Sequence, residues 1–143
     1  MLFDLDMCVG NISNKAIKQI SDAFNKRLLE TGITRIQWIA LYYLKRKELI
    51  SQRDLSNLMG VKDSSAGRLI DRLERDGYIK RERTKKDRRV ILISLTKEGD
   101  NLITELMFVG INFKNDLVND ISDEDISIYE KVLSKMVQNV STE

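Results

Sequence analysis

The sequence predicts a mainly α-helical fold carrying one small β-hairpin, and three observations predict it. Apolar residues recur at helical spacing along most of the chain, as in Ile17, Ile20, Phe24 and Leu28. Only Tyr78 to Arg83 and Val90 to Leu95 alternate as strands do, and the charge-rich stretch Thr84-Lys85-Lys86-Asp87 between them suits a hairpin turn. Serine, threonine and aspartate stand where helices would begin and glycine where they would end. A length of 143 residues, 42% of them hydrophobic and 32% charged, fits one helix-rich domain covering 1–143.

The first helix is expected within Asp4 to Glu30, with Gly32 just past its end. Thr34-Arg35-Ile36-Gln37 reads as a capping box, opening a second helix whose apolar positions are Ile36, Trp38, Leu41 and Leu44. That helix ends in Lys45-Arg46-Lys47, cations that suit the negative end of a helix dipole. Ser51-Gln52-Arg53-Asp54 caps a short third helix through Leu55, Leu58 and Met59, closed by Gly60. After Val61 and Lys62, Asp63 is expected to cap a fourth helix running to about Asp76 and closed by Gly77. A short helix, a tight turn and a longer helix have helix–turn–helix proportions. In the fourth helix, Ala66, Leu69, Ile70 and Leu73 form the inward stripe, leaving Ser64, Ser65, Arg68, Arg72 and Arg75 outward.

Thr96 is expected to cap a fifth helix reaching about Val118, apolar along two lines: Leu106, Val109, Phe113 and Leu117, and Ile103, Met107, Ile111 and Val118. Ser122 opens a sixth, with Tyr129, Val132, Leu133, Met136, Val137 and Val140 on one stripe. The two lines of the fifth helix and the apolar start (Leu2, Phe3, Leu5, Met7, Val9) are hard for a compact monomer to cover, so pairing with a second copy is expected; the alternative is that the first helix covers the fifth within one chain. The fold class is therefore a winged helix–turn–helix, about 34–96, flanked by N- and C-terminal dimerisation helices, about 4–31 and 97–140.

Charge is segregated beneath a net +2: residues 1–61 carry +3, residues 62–96 carry +5, and residues 97–143 carry −6. A surface drawn to phosphate belongs to the middle segment. With no histidine and one cysteine, the common nucleophile–base pairs and histidine metal sites are unavailable, and the acidic residues cluster at helix starts, where capping explains them. An enzyme is not expected, nor any cofactor or metal. No run approaches the roughly 18 apolar residues of a membrane span. The acidic start, Met1-Leu2-Phe3-Asp4-Leu5-Asp6, differs from the basic start of a secretory leader, so a cytoplasmic location is expected.

A polar helix followed by a basic two-stranded ribbon suits major-groove reading together with a grip on the adjacent minor groove of double-stranded DNA. Arg89 is the candidate for the narrow minor groove, whose focused negative potential attracts guanidinium, with Asp87 beside it fixing its approach. Arg88, Lys85 and Lys86 are candidates for phosphates, as are Gln52 and Arg53 at the start of the third helix. Arg68 suits either a bidentate contact to guanine or a phosphate grip. Gly67, costly inside a helix, fits either a close approach to base edges or tight packing against a neighbouring helix. A protein–protein adaptor built on the same fold is the alternative function; it leaves the cationic hairpin tip unexplained.

The strings Ser51-Gln52-Arg53-Asp54-Leu55, Gly60-Val61, Asp71-Arg72-Leu73-Glu74-Arg75-Asp76-Gly77-Tyr78-Ile79, Asp87-Arg88-Arg89 and Leu95-Thr96-Lys97-Glu98-Gly99 resemble the MarR family of winged helix–turn–helix transcriptional regulators. The resemblance implies a homodimeric repressor of a pseudo-palindromic operator. It implies that Arg89 enters the minor groove oriented by Asp87, and that Ser65, Gly67 and Arg68 face bases. It also implies release by a small phenolic or aromatic effector, or by oxidation of a cysteine near the first helix. Trp38 and Tyr42 stand as pocket candidates against an ordinary core role, and Cys8 as a redox candidate against a packed thiol.

Overall fold

The computed structural model describes residues 2–141. Six helices and three strands follow in the order α1 (Val9–Leu28), α2 (Arg35–Lys47), β1 (Ile50–Ser51), α3 (Gln52–Met59), α4 (Asp63–Arg75), β2 (Ile79–Arg83), β3 (Ile91–Leu95), α5 (Lys97–Leu117) and α6 (Asp123–Val140). The chain divides into two compact units, Met1–Gly110 and Ile111–Glu143. The fold class is the expected one, mainly α with a small β wing.

In the first unit the core is built from Leu28, Leu41, Leu44, Leu55, Ile70, Leu73, Ile93 and Ile103, all fully buried. The capping box at α2 forms as read: Thr34 Oγ1 accepts from the Gln37 amide at 3.3 Å, and Gln37 Oε1 accepts from the Thr34 amide at 2.9 Å. Ser51 Oγ accepts from the Asp54 amide at 3.0 Å and starts α3. Gly60, at φ 67° in the left-handed region, ends α3, a conformation that side-chain-bearing residues adopt at a cost. That reversal turns α4 against α3.

The small sheet is antiparallel in the order β1-β3-β2, so β3 is central. Register sets Ile50 opposite Ile93, and pairs Ile79 with Leu95, Arg81 with Ile93 and Arg83 with Ile91. β1 adds a strand that the sequence reading lacked. It has two residues, too few for an alternation, and it follows a γ-turn at Glu48 (φ 63°, ψ −52°), closed by the Leu49 amide on Lys47 O at 2.7 Å.

The first helix lies within the expected span, beginning at Val9 after a short 3₁₀ turn, Leu5–Met7, and an extended Cys8. Asp4 accepts from the Asp6 amide at 3.0 Å, a local bond that competes with an earlier helix start. One boundary differs from expectation: Asp63 does not cap α4. It is the first helical residue, and its Oδ1 accepts from the buried Ser56 hydroxyl at 2.7 Å.

Thr96 does cap α5, accepting from the Gly99 amide at 3.1 Å and donating to Gly77 O at 2.6 Å. Gly99 is buried with Tyr78 O directly over its Cα, leaving no room for a Cβ. Within the first unit, α5 buries Ile103, Leu106 and Val109. In the second unit, Ser122 caps α6 by accepting from the Asp125 amide at 3.1 Å, yet α6 buries none of its residues.

Candidate nucleic-acid interface

The helical period sorts α4 as the sequence indicates. Ala66, Leu69, Ile70 and Leu73 are buried, whereas Ser64, Ser65, Arg68, Arg72 and Arg75 are exposed. The two serines sit in the first turn of α4, followed on the same outward surface by three cations, so a polar helix face and a positive field coincide.

The hairpin tip is held by its own side chains. Thr84 Oγ1 accepts from the Asp87 amide at 3.0 Å and donates to Asp87 O at 2.6 Å, while the Val90 amide donates to Asp87 O at 3.0 Å. Arg83 Nη1 donates to Arg88 O at 2.6 Å. On this fixed turn, Asp87 Oδ1 accepts from the Arg89 amide at 3.0 Å and from Arg89 Nε at 3.1 Å, and Oδ2 accepts from Nη2 at 3.3 Å. Those bonds from Arg89 hold the Asp87 carboxyl below its ordinary range. The Arg89 side chain is nevertheless 92% exposed. A cation is thus pre-aimed outward without being covered. Lys85, Lys86 and Arg88 are exposed beside it.

Behind the tip lies a groove of about 480 Å³ bounded by the start of α3 (Ser51, Gln52, Arg53), by Asp63 of α4, and by Asp87 and Arg89 of the wing. A smaller recess of about 240 Å³ joins Thr34 and Gln37 to Ser65, Arg68 and Arg72. The fold therefore brings the α3 candidates Gln52 and Arg53 and the wing candidates Asp87 and Arg89 around one groove, while Ser65, Arg68 and Arg72 of α4 line a separate recess. Arg53 is exposed. Gln52 is half-buried, and its Oε1 is buried without a hydrogen-bond partner. A Cβ added to Gly67 would lie 3.9 Å from Gln52 Nε2, an ordinary contact, so packing does not demand glycine there.

Two residues that the sequence reading passed over brace this surface. Ser56, fully buried, spans the helix–turn–helix through Arg53 O at 2.8 Å and Asp63 Oδ1 at 2.7 Å. Arg81 of β2 reaches α4 through Nη2, 2.7 Å from Asp71 Oδ1 and 2.9 Å from Glu74 Oε1. The side-chain bond from Arg81 is the main cause that lowers the Glu74 carboxyl from its ordinary 4.5. The signal was present in sequence: Asp71 and Glu74 are three apart on one helix, and strand alternation sets Arg81 on the face of Ile79.

The sensing candidates lie elsewhere. Trp38 Nε1 donates to Leu106 O at 2.9 Å, its ring stacks on Tyr42 at 5.6 Å and 7°, and it meets Phe24 edge-on at 5.4 Å. A Cβ on Gly110 would fall 2.5 Å from the indole edge. Tyr42 carries Arg46 over its ring at 6.0 Å and accepts from Arg46 Nη1 at 3.3 Å. The pair is part of a packed aromatic cluster. Cys8 is half-buried and free, and precedes α1 without a side-chain capping bond. Among the described residues no group of three or more His, Cys, Asp or Glu is placed to hold a metal ion, and no helix is long and apolar enough to cross a membrane.

The family model described as MarR family matches residues 31–90, the stretch from just after α1 to the wing. The HTH-type transcriptional regulator YsmB of Bacillus subtilis is 31% identical over 109 residues, which are 76% of this chain and 75% of that protein. The chain belongs to the MarR family. This MarR family member is a winged-helix, DNA-binding transcriptional regulator, and the family is one of regulators rather than enzymes. Its fold is shared with BpsR of Bordetella bronchiseptica, at a TM-score of 0.87 and 18% identity over 99% of this chain and 100% of that one. It is shared also with a mutant MarR from E. coli complexed with operator DNA, at a TM-score of 0.83 and 22% identity over 96% of this chain and 99% of that one.

Proposed function

We propose that the chain is a homodimeric repressor that holds a pseudo-palindromic operator in the cytoplasm and releases it when a small aromatic or phenolic effector binds. The observation that carries the DNA-binding surface is Arg89, pinned by Asp87 yet almost wholly exposed, beside the outward Ser64, Ser65, Arg68 and Arg72 of α4. In this reading α4 enters the major groove, Arg89 enters the minor groove, and Lys85, Lys86, Arg88 and Arg53 neutralise phosphates. Gln52, whose Oε1 is enclosed, offers phosphate only its amide nitrogen. Gly67 gives the bases their closest approach to the helix.

Dimerisation is supported by apolar surface that one chain leaves open. Leu2, Phe3, Leu5, Met7 and Val9 are exposed in the first unit, and Tyr129, Val132, Leu133, Val137 and Val140 in the second. A second copy covering them sets two recognition helices on successive turns of the duplex, roughly 34–36 Å apart. The effector reading is supported by BpsR, whose DNA binding is regulated by 6-hydroxynicotinic acid. Trp38 and Tyr42 are the aromatic contacts assigned to it here, and Cys8 is the position assigned to an oxidative signal.

Selection of binding sites from a random duplex library tests the core of this reading. Recovery of an inverted repeat, bound with an affinity that falls steeply as salt rises, is the expected outcome. Absence of salt-sensitive binding to any duplex would leave the winged helix as a protein-binding adaptor.

A further inference from the structure

Arg81 lies on β2, outside the wing tip and outside the recognition helix, and its guanidinium ties that strand to α4. Alternation along β2 buries Ile79 to 2% exposure and turns Arg81 toward the same side, where its side chain is 25% exposed. One nitrogen, Nη2, lies within 3 Å of carboxylates one helical turn apart on α4, Asp71 at 2.7 Å and Glu74 at 2.9 Å. On the other side, register sets Arg81 opposite Ile93 at the centre of the sheet, two pairs from Ile91, where β3 leaves the wing. The guanidinium is thus fixed to the strand that carries the wing and to the helix that carries the reading surface.

We propose that Arg81 is a positioning residue: by forking onto Asp71 and Glu74 it sets the angle between α4 and the wing, so that Arg89 and the outward face of α4 enter adjacent grooves together. This rests on the DNA-binding reading above and names the part that coordinates its two contacts. A duplex has fixed groove spacing, so helix and wing cooperate only if their separation is set before binding; a wing free to pivot loses that pre-organisation. The same fork neutralises two carboxylates on the helix that faces phosphate. That second effect acts through charge alone, and the two effects are separable.

The experiment is a double-mutant cycle on a duplex that the protein has itself selected from a random library. Arg81→Met is expected to weaken binding about tenfold, and to weaken it far less when Arg89→Ala is already present, because the groove contact that a misplaced wing gives up is then already gone. Equal losses in both backgrounds, with the slope of log affinity against log salt reduced by about one, would make Arg81 a direct phosphate contact and overturn the proposal. A neutral triple variant, Arg81→Met with Asp71→Asn and Glu74→Gln, is expected to remain weak; recovery of wild-type affinity would leave charge alone and overturn it as well. Should Arg81→Met fail to fold by circular dichroism, Asp71→Asn with Glu74→Gln cuts the fork from its more exposed side. Unchanged affinity in that variant refutes positioning. Wild-type protein that ignores duplex at low salt defeats the DNA-binding reading instead, so the two failures are told apart.

Discussion

Arg89 and Asp87 illustrate how a pair of adjacent charges becomes a tool. An arginine at 92% exposure ordinarily samples many rotamers, but two side-chain bonds to one carboxylate restrict this one. Arg89→Ala is expected to weaken duplex binding by about 1–3 kcal/mol, roughly fivefold to 150-fold, with the melting temperature unchanged. Asp87→Ala should give a smaller loss, because the cation remains while its aim is lost. Titrations by fluorescence anisotropy check the ranking, and a larger effect for Asp87→Ala would reverse the assignment. Gly67 supports a second expectation. An added Cβ meets only Gln52 Nε2 at 3.9 Å, so Gly67→Ala should stabilise the fold by about 0.5–1 kcal/mol in urea denaturation. If DNA affinity falls in that more stable variant, the missing side chain serves approach to the bases. Cys8 and the Trp38–Tyr42 pair were legible as chemistry but not as neighbours, since nothing in sequence says that Trp38 bonds Leu106 O, 68 residues away.

Helices were easier to read than strands, for a physical reason. A capped helix satisfies its bonds locally, so Thr34, Ser51, Thr96 and Ser122 each mark a start that the structure contains. β1 has two residues and exists because β3 pairs with it, so it has no pattern of its own. Thr96 does more than its cap implies, since its hydroxyl also reaches Gly77 O and ties the end of α4 to the start of α5. Thr96→Val is expected to cost about 1–2 kcal/mol of stability by thermal or chemical melting. A change within a few tenths would show the double bond to be dispensable. The fork between β2 and α4 supports a pH expectation. The folded Glu74 carboxyl is lowered from its ordinary 4.5, so its contribution is complete above that value and is lost as pH falls through the lower folded value. Between pH 7 and 5 this pair should leave stability flat. Below about 4.5 wild type should lose stability more steeply than Glu74→Gln, and superimposable acid limbs would count against the pairing.

For the whole molecule, the informative feature is apolar surface rather than charge. α6 presents Tyr129, Val132, Leu133, Val137 and Val140 without burying any residue, and the N-terminal segment presents Leu2 and Phe3. Apolar exposure of this kind on each unit is what association surfaces carry. On the proposed homodimer, Val132→Glu is expected to shift the protein to monomer in light scattering. It should also weaken operator binding far more than binding to an isolated half-site, because only the dimer engages both halves. An unchanged dimer would move the interface elsewhere.

Hydrophobic period, caps and charge segregation are local properties, and they were enough to establish the helix order, the hairpin, the outward face of α4 and the basic tip. They hold wherever a residue's role depends on neighbours within one turn of helix or one pair of strand positions. What needed the folded chain were the contacts closed over distance: Arg81 on Asp71 and Glu74, Ser56 on Asp63, Ile50 beside Ile93, and Trp38 against Gly110. Each of these depends on two segments meeting at a specific angle and separation. Packing of the whole core fixes that geometry, and no single stretch of sequence encodes it.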